Sequence, residues 1–212
     1  SILWEKVGAK LAHASTDYVF SGRENGGIPL DEAAATGPIS AYGTTKLLGG
    51  KYVEQFCSRA FIVRTAWLYS YYGKNFVKTI YNAAKKTGKL QVVNDQMGNP
   101  TNAVDLAHVL LMLSCTQEYG VYHCTGEGIC SWYDFAAAIV SEGGVDASVA
   151  PVTSIQYKEM HPESADRPAW SALDNRMLRC TVGNPVRPWQ EALHEFFLRW
   201  DGENGIKDEM IG

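Results

Sequence analysis

Apolar and polar positions alternate along the chain in two periods, and they predict alternating helices and strands. Ile2 to Val7 reads as the last turns of a helix, stopped at Gly8. Lys10 to Ser15 follows as a short strand, with Thr16, Asp17, Tyr18, Val19 and Phe20 at or just past its end. Ser21 to Gly37 is rich in Gly, Pro and charge and reads as a surface loop. Ser40 is placed to cap a helix whose apolar face, Leu47, Leu48, Tyr52, Val53 and Phe56, runs to about Cys57. Gly49 and Gly50 weaken that helix and suit close packing of a neighbouring helix.

Phe61 to Tyr69, FIVRTAWLY, is β-branched, aromatic and nearly continuous, as a buried strand should be. A helix over Phe76 to Lys86, stopped at Gly88, leads to a strand over Leu90 to Val93 and a loop, NDQMGNPT. A mostly buried helix is predicted over Ala103 to Cys115, and a strand over Gly120 to Thr125. Ser131 caps a helix over Trp132 to Val140, and Val149 to Thr153 reads as a strand. Residues 154–175 read as irregular, Trp189 to Trp200 as a closing amphipathic helix, and the last dozen residues as polar and loose. Alternation of this kind predicts an α/β fold with a largely parallel sheet.

Composition narrows the classes. The 212 residues are 46% hydrophobic and 20% charged, ordinary for a globular chain with a sizeable core. A net charge of −4 without a basic cluster argues against a nucleic-acid surface. No apolar run is long enough to span a membrane, and no signal peptide is evident in SILWEKVGAK. The five cysteines, Cys57, Cys115, Cys124, Cys130 and Cys180, form no CxxC pair and fit reduced thiols in a cytoplasmic protein. The chain opens at Ser1, in mid-unit, so an N-terminal portion is expected to be missing.

The candidate chemistry centres on SAYGTTK. Tyr42 and Lys46 are four residues apart and share one face of a helix. An ammonium beside a phenol favours the phenolate and fits the phenol for general acid–base work near neutral pH. Three stretches fall at carboxyl ends of expected strands or open the helix between them: STDYVFSG, SAYGTTK and RTAWLY. Ligands bind outside the carboxyl ends of strands in open α/β sheets.

Together these stretches resemble the extended short-chain dehydrogenase/reductase family. With PLDE, DQMGNPT and RPAWSALD added, the set looks like the dTDP-4-dehydrorhamnose reductases, from about Lys10 to the chain end. The resemblance implies a Rossmann-type parallel sheet with a smaller interleaved substrate-binding lobe. Residues 1–90 would be the rear of the dinucleotide-binding domain, carrying the catalytic residues. Residues 91–212 would be mainly the substrate lobe, with returning sheet elements.

The reaction implied is hydride delivery from NADPH or NADH to C4 of a 4-keto-6-deoxy sugar on dTDP. Tyr42, Lys46 and Thr16 would be catalytic, with Tyr42 and Lys46 also touching the cofactor. Thr16, Asp17, Trp67 and Arg167 would contact the substrate. The family's Gly-rich turn, G-x-x-G-x-x-G, is absent; GRENGG at Gly22 to Gly27 reads as a turn and does not replace it. Gly50 stands where the family commonly has an acidic residue.

Other residues carry competing readings. Tyr18 suits either sugar contact or aromatic packing, and Arg167 either a diphosphate or a structural salt bridge. Some relatives hold Mg²⁺ near the DQMGNPT loop at a subunit contact, but Asp95 alone does not make such a site. The loop, with Gln96, is expected to order a strand end near the substrate. His13 reads as a satisfied core histidine, and Trp170, Trp189 and Trp200 as packing residues. A homodimer is compatible with the resemblance. Two alternatives stay open: a non-catalytic regulatory subunit of the methionine adenosyltransferase type, and another nucleotide-sugar reductase or epimerase.

Overall fold

The computed structural model describes residues 2–23, 26–164, 167–203 and 205–207. Parts of the expected loops at Ser21 to Gly37 and 154–175, and of the C-terminal tail, lie outside the described residues. In chain order the elements are α1 (Ile2–Lys6), β1 (Leu11–Thr16), α2 (Ala41–Phe56), β2 (Ala60–Thr65), β3 (Leu68–Tyr69), α3 (Phe76–Thr87), β4 (Lys89–Val93), β5 (Met97–Gly98), β6 (Thr101–Asn102), α4 (Ala103–Ser114), β7 (Gly120–His123), β8 (Cys130–Ser131), α5 (Trp132–Glu142), β9 (Ser148–Val152), α6 (Ser154–Met160), α7 (Arg176–Thr181) and α8 (Trp189–Arg199). They fall into two compact units. The first gathers Ser1–Ala66, Val104–Thr125 and Pro168–Val186; the second gathers Trp67–Ala103, Gly126–Arg167 and Arg187–Gly212.

The first unit is built on a parallel sheet of order β1-β2-β7. Central β2 is buried on both faces, which is why Ala60–Val63 are all apolar. Its residues alternate with period two. Phe61 and Val63, with Tyr122 of β7, pack on Leu106, Val109 and Leu113 of α4 and Leu178 of α7. Ile62, on the opposite face, packs with Val53 of α2 and with Cys57 just past its end.

Gly49 and Gly50 face this sheet rather than a second helix. A Cβ would meet the His13 ring at 3.6 Å from Gly49, and Ile62 at 3.8 Å from Gly50. The two glycines therefore let α2 lie low on β1 and β2. Lys10 closes the far end of α4 by donating from Nζ to Ser114 O and Thr116 O, at 2.6 and 2.7 Å.

The second unit contains three separate strand pairs: β3 with β6 and β4 with β9, both parallel, and β5 with β8, antiparallel. Its core is aromatic. Phe135 and Phe196 are wholly buried, and Phe196 stacks on Tyr71 with centroids 4.9 Å apart. Tyr69 packs against both phenylalanines.

Three expectations about elements need correction. FIVRTAWLY is not one strand: β2 ends at Thr65, Trp67 takes φ 47°, and β3 pairs elsewhere with β6. Left-handed backbone at Trp67 breaks the extended run that its β-propensity suggested. The loop NDQMGNPT contains β5 and the first residue of β6, each strand too short to leave a periodic signal. The irregular stretch after Thr153 contains α6, started by a capping box in which Thr153 and Gln156 satisfy one another's backbone. Arg176–Thr181 forms a helix where none was predicted.

Candidate active site

The first unit assembles four of the expected site residues at the carboxyl end of β1. Ser40 starts α2 by accepting a hydrogen bond from the Gly43 N–H at 3.1 Å. Gly43 is where α2 meets the 3₁₀ turn Asp17–Val19 that follows β1. A Cβ there would lie 2.1 Å from the Tyr18 carbonyl oxygen, so this approach requires glycine. It seats Tyr42 beside Tyr18, their rings edge to face with centroids 5.8 Å apart. Tyr42 remains 56% exposed, open to a ligand. One turn later, Lys46 Nζ donates to Ala14 O at 2.6 Å, which ties the ammonium to β1.

Thr16 and Asp17 are buried within this corner. Thr16 Oγ1 donates to Asp17 Oδ1 at 2.9 Å and accepts from the Tyr18 N–H at 3.3 Å. Burial pushes the Asp17 carboxyl up to about 6, against the opposing pull of hydrogen bonds from Thr16 and Ser171. Ser171 lies in RPAWSALD and links that segment to the corner; nothing in its local pattern marked it.

His13 departs from the expectation of a satisfied core histidine. It is half-buried, and its Nε2 has no hydrogen-bond partner among the described residues. Burial, then the charge of Lys46, hold it below the usual imidazole range. A cavity of about 160 Å³ lies on the inner side of α2, bordered by Ser15, Lys46, Gly50, Ile62 and Arg64. Tyr42, Thr16 and Asp17 do not line it.

Behind the corner, PLDE forms a half-buried polar brace. Glu32 Oε1 accepts from the backbone N–H of His123 at 2.9 Å and of Met177 at 3.1 Å. His123 Nδ1 lies 3.0 Å from Leu30 O; a carbonyl only accepts, so Nδ1 carries the hydrogen. Nε2 then accepts from Arg64, at 3.4 Å. Burial and the Arg64 charge hold His123 down at about 3, so the ring is neutral. Asp31 pairs with Arg176 at 2.8 Å.

The second unit holds Trp67 and Arg167. Trp67 is half-buried and stacks on Trp132, centroids 3.5 Å apart and planes at 8°. Its positive φ carries a cost of about 1–3 kcal/mol, which the surroundings must offset. The Arg167 guanidinium lies over the Trp132 ring, 5.4 Å from its centroid. No ion pair holds Arg167 among the described residues, so the salt-bridge reading gains no support.

Asp95 is occupied locally: its carboxylate accepts from Ser154 N at 2.9 and 3.0 Å and from Ser154 Oγ at 2.6 Å. Gln96 donates to the same hydroxyl at 3.0 Å. No cluster of three His, Cys, Asp or Glu suited to a metal exists among the described residues. Mg²⁺ binding at Asp95 therefore has no support here.

The model of the RmlD substrate binding domain matches residues 3–201 of the chain. The chain belongs to the RmlD substrate-binding domain family. Its relatives include a spore coat polysaccharide biosynthesis protein of Bacillus subtilis, 39% identical over 191 residues, covering 90% of this chain and 65% of the relative. Among solved structures, a dTDP-4-dehydrorhamnose reductase of Clostridium acetobutylicum matches with TM-score 0.86 and 46% identity. That match covers 92% of this chain and 67% of the other. The dTDP-4-dehydrorhamnose reductase of Bacillus anthracis in complex with NADP matches with TM-score 0.86 and 38% identity, covering 93% of this chain and 68% of the other.

This RmlD-family chain thus spans about 65% of the length of the curated relative it matches. The α/β assignment stands, with a Rossmann-like fold shared with the reductases. No helix among the described residues is long and apolar enough to cross a membrane.

Proposed function

We propose that the chain carries the catalytic and sugar-side residues of an NAD(P)H-dependent reductase that converts dTDP-4-dehydro-L-rhamnose to dTDP-L-rhamnose. The observation that carries this reading is the contact of Gly43 with the Tyr18 carbonyl. It brings Tyr42 against Tyr18, which directly follows Thr16 and Asp17 in the chain, while Lys46 is anchored on Ala14.

Reduction of a ketone leaves negative charge on oxygen, which must be protonated as it forms. The exposed phenol of Tyr42 is the proton donor. Lys46 uses one of its three N–H donors on Ala14, and its remaining donors suit the hydroxyls of a nicotinamide ribose. Thr16 donates in the structure to Asp17, so it accepts from the phenol while Asp17 is ionised and can donate to the reacting oxygen when Asp17 is protonated. Trp67 and Arg167 provide the sugar-nucleotide side. The nicotinamide, when bound, supplies the hydride.

The donor chemistry of Tyr42 and Lys46 fits such a cofactor, and NADP in the B. anthracis relative favours NADPH. The site of action we propose is the cytoplasm, where the nucleotide sugar and reduced cofactor would be available.

The test is product analysis with the full-length protein, dTDP-4-dehydro-L-rhamnose and NADPH. The expected product is dTDP-L-rhamnose, with one NADPH oxidised per sugar. Absence of turnover with any nucleotide 4-keto sugar, alongside capture of a partner enzyme, would favour the regulatory-subunit reading.

A further inference from the structure

Trp67 and Arg167 are distant in sequence and carry no local signal of belonging together. Both rest on a third residue, Trp132, that no sequence motif singled out. We propose that Trp132 is a positioning residue, which holds Trp67 and Arg167 as one wall against the sugar nucleotide. This rests on the reading of Trp67 and Arg167 as substrate contacts.

The wall is built from five separated segments. Antiparallel pairing of β5 with β8 places Gly98 opposite Cys130, next to the start of α5. Trp132 is the first residue of that helix, and its backbone is fixed by a reciprocal cap. The Ser131 N–H donates to Asp134 Oδ2 at 2.9 Å, and the Asp134 N–H donates to Ser131 Oγ at 3.0 Å. Phe76 supports the Trp132 ring, with centroids 4.4 Å apart. Trp67 is then confined between Trp132 and Gly98. A Cβ on Gly98 would lie 2.5 Å from Trp67 Cε2, so no side chain fits. The Trp67 carbonyl also accepts from the Thr101 N–H at 3.3 Å.

Ordinary core packing does not account for this arrangement. Neither indole is fully buried, and Arg167 is exposed. Aromatic pairs prefer offset or edge-to-face contacts, whereas these indoles overlap at 8°. Trp67 also holds a backbone conformation unusual for a bulky residue, at φ 47°. Unfavourable backbone retained in a partly open, rigidly walled position is characteristic of a ligand contact. Arg167 gains a defined place for its cation over the indole face, so that one ring orients both partners.

The experiment compares wild type, Trp132→Phe, Trp132→Leu and Gly98→Ala in the full-length protein, by steady-state kinetics with dTDP-4-dehydro-L-rhamnose and NADPH. For Trp132→Leu, the KM for the sugar nucleotide should rise about tenfold, with kcat within about threefold and the KM for NADPH unchanged. Trp132→Phe keeps an aromatic face and should recover most of that loss. Gly98→Ala displaces the Trp67 ring from its other side and should reproduce the same selective rise in KM; it carries the test if the Trp132 variants fail to fold. The paired-indole signal in near-ultraviolet circular dichroism should vanish in both Trp132 variants. An unchanged sugar KM in folded variants, or equal losses in both substrates' parameters without rescue by Phe, would overturn the assignment of Trp132 alone. A wild-type protein that turns over no dTDP-sugar would overturn the reductase reading, and the wall's role with it.

Discussion

The Thr16 hydroxyl donates its hydrogen to Asp17, with Oγ1 and Oδ1 2.9 Å apart and both residues buried. The carboxyl's state therefore decides what the hydroxyl can offer. With Asp17 ionised, the Thr16 hydrogen is committed to it and Thr16 can only accept. With Asp17 protonated, the carboxyl can donate instead and the Thr16 hydrogen is released toward a ketone oxygen.

Burial pushes Asp17 up to about 6. The rate ratio of wild type to Thr16→Val should therefore be larger below that pH than above it. A ratio that is flat from pH 5 to 8 would show that Asp17 does not govern Thr16.

The same carboxyl shapes stability. Its folded-state value, about 6, is raised above the ordinary 3.8. The stability it permits is complete below about pH 4 and is lost as pH rises through 6. The loss should be on the order of 3 kcal/mol. Asp17→Asn should be more stable than wild type at pH 8, with the gap closing toward pH 4. Urea midpoints across that range measure it; an Asn variant less stable at pH 8 would contradict the desolvation account.

His123 acts in the opposite direction. Its folded-state value, about 3, is depressed below the ordinary 6.5. Its contribution is complete above about pH 6.5 and is lost as pH falls toward 3, by roughly 3 kcal/mol at pH 4. His123→Asn should start less stable at pH 7, because the ring is wholly buried, yet lose less on acidification. Equal acid sensitivity in the two proteins would remove His123 as the cause.

Gly43→Ala tests the corner mechanically. Its Cβ would fall 2.1 Å from a backbone oxygen that cannot rotate away. The start of α2 must shift, at a cost of about 2 kcal/mol. Turnover should fall more than a hundredfold, because a displacement of about 1 Å at a reacting group can cost that much. Near-wild-type turnover would show that the Tyr18–Gly43 contact does not set the position of Tyr42.

Long periodic elements and local motifs were legible in the sequence. α2, α3, α4 and α5 lie where apolar spacing and caps put them, and the Ser40 cap and the αL Gly88 are formed as read. The parallel sheet followed from alternation. What stayed hidden depends on distant partners. Trp67 reads as strand until its left-handed backbone and its seat over Gly98 are seen. Ser171, His123 and Trp132 act through residues far along the chain, and no local period reports that. The α6 helix is different: Thr153 and Gln156 form a local capping signature that is legible in the sequence.

The central claim is that the Tyr42 phenol donates the proton in ketone reduction. The most direct measurement is NADPH oxidation by full-length wild-type and Tyr42→Phe proteins with dTDP-4-dehydro-L-rhamnose, with melting curves recorded for both. Tyr42 is more than half exposed, so removing its hydroxyl should leave the melting curve unchanged. Turnover should fall by about 10²–10⁴-fold. A folded Tyr42→Phe protein that reduces the sugar at the wild-type rate would contradict the account.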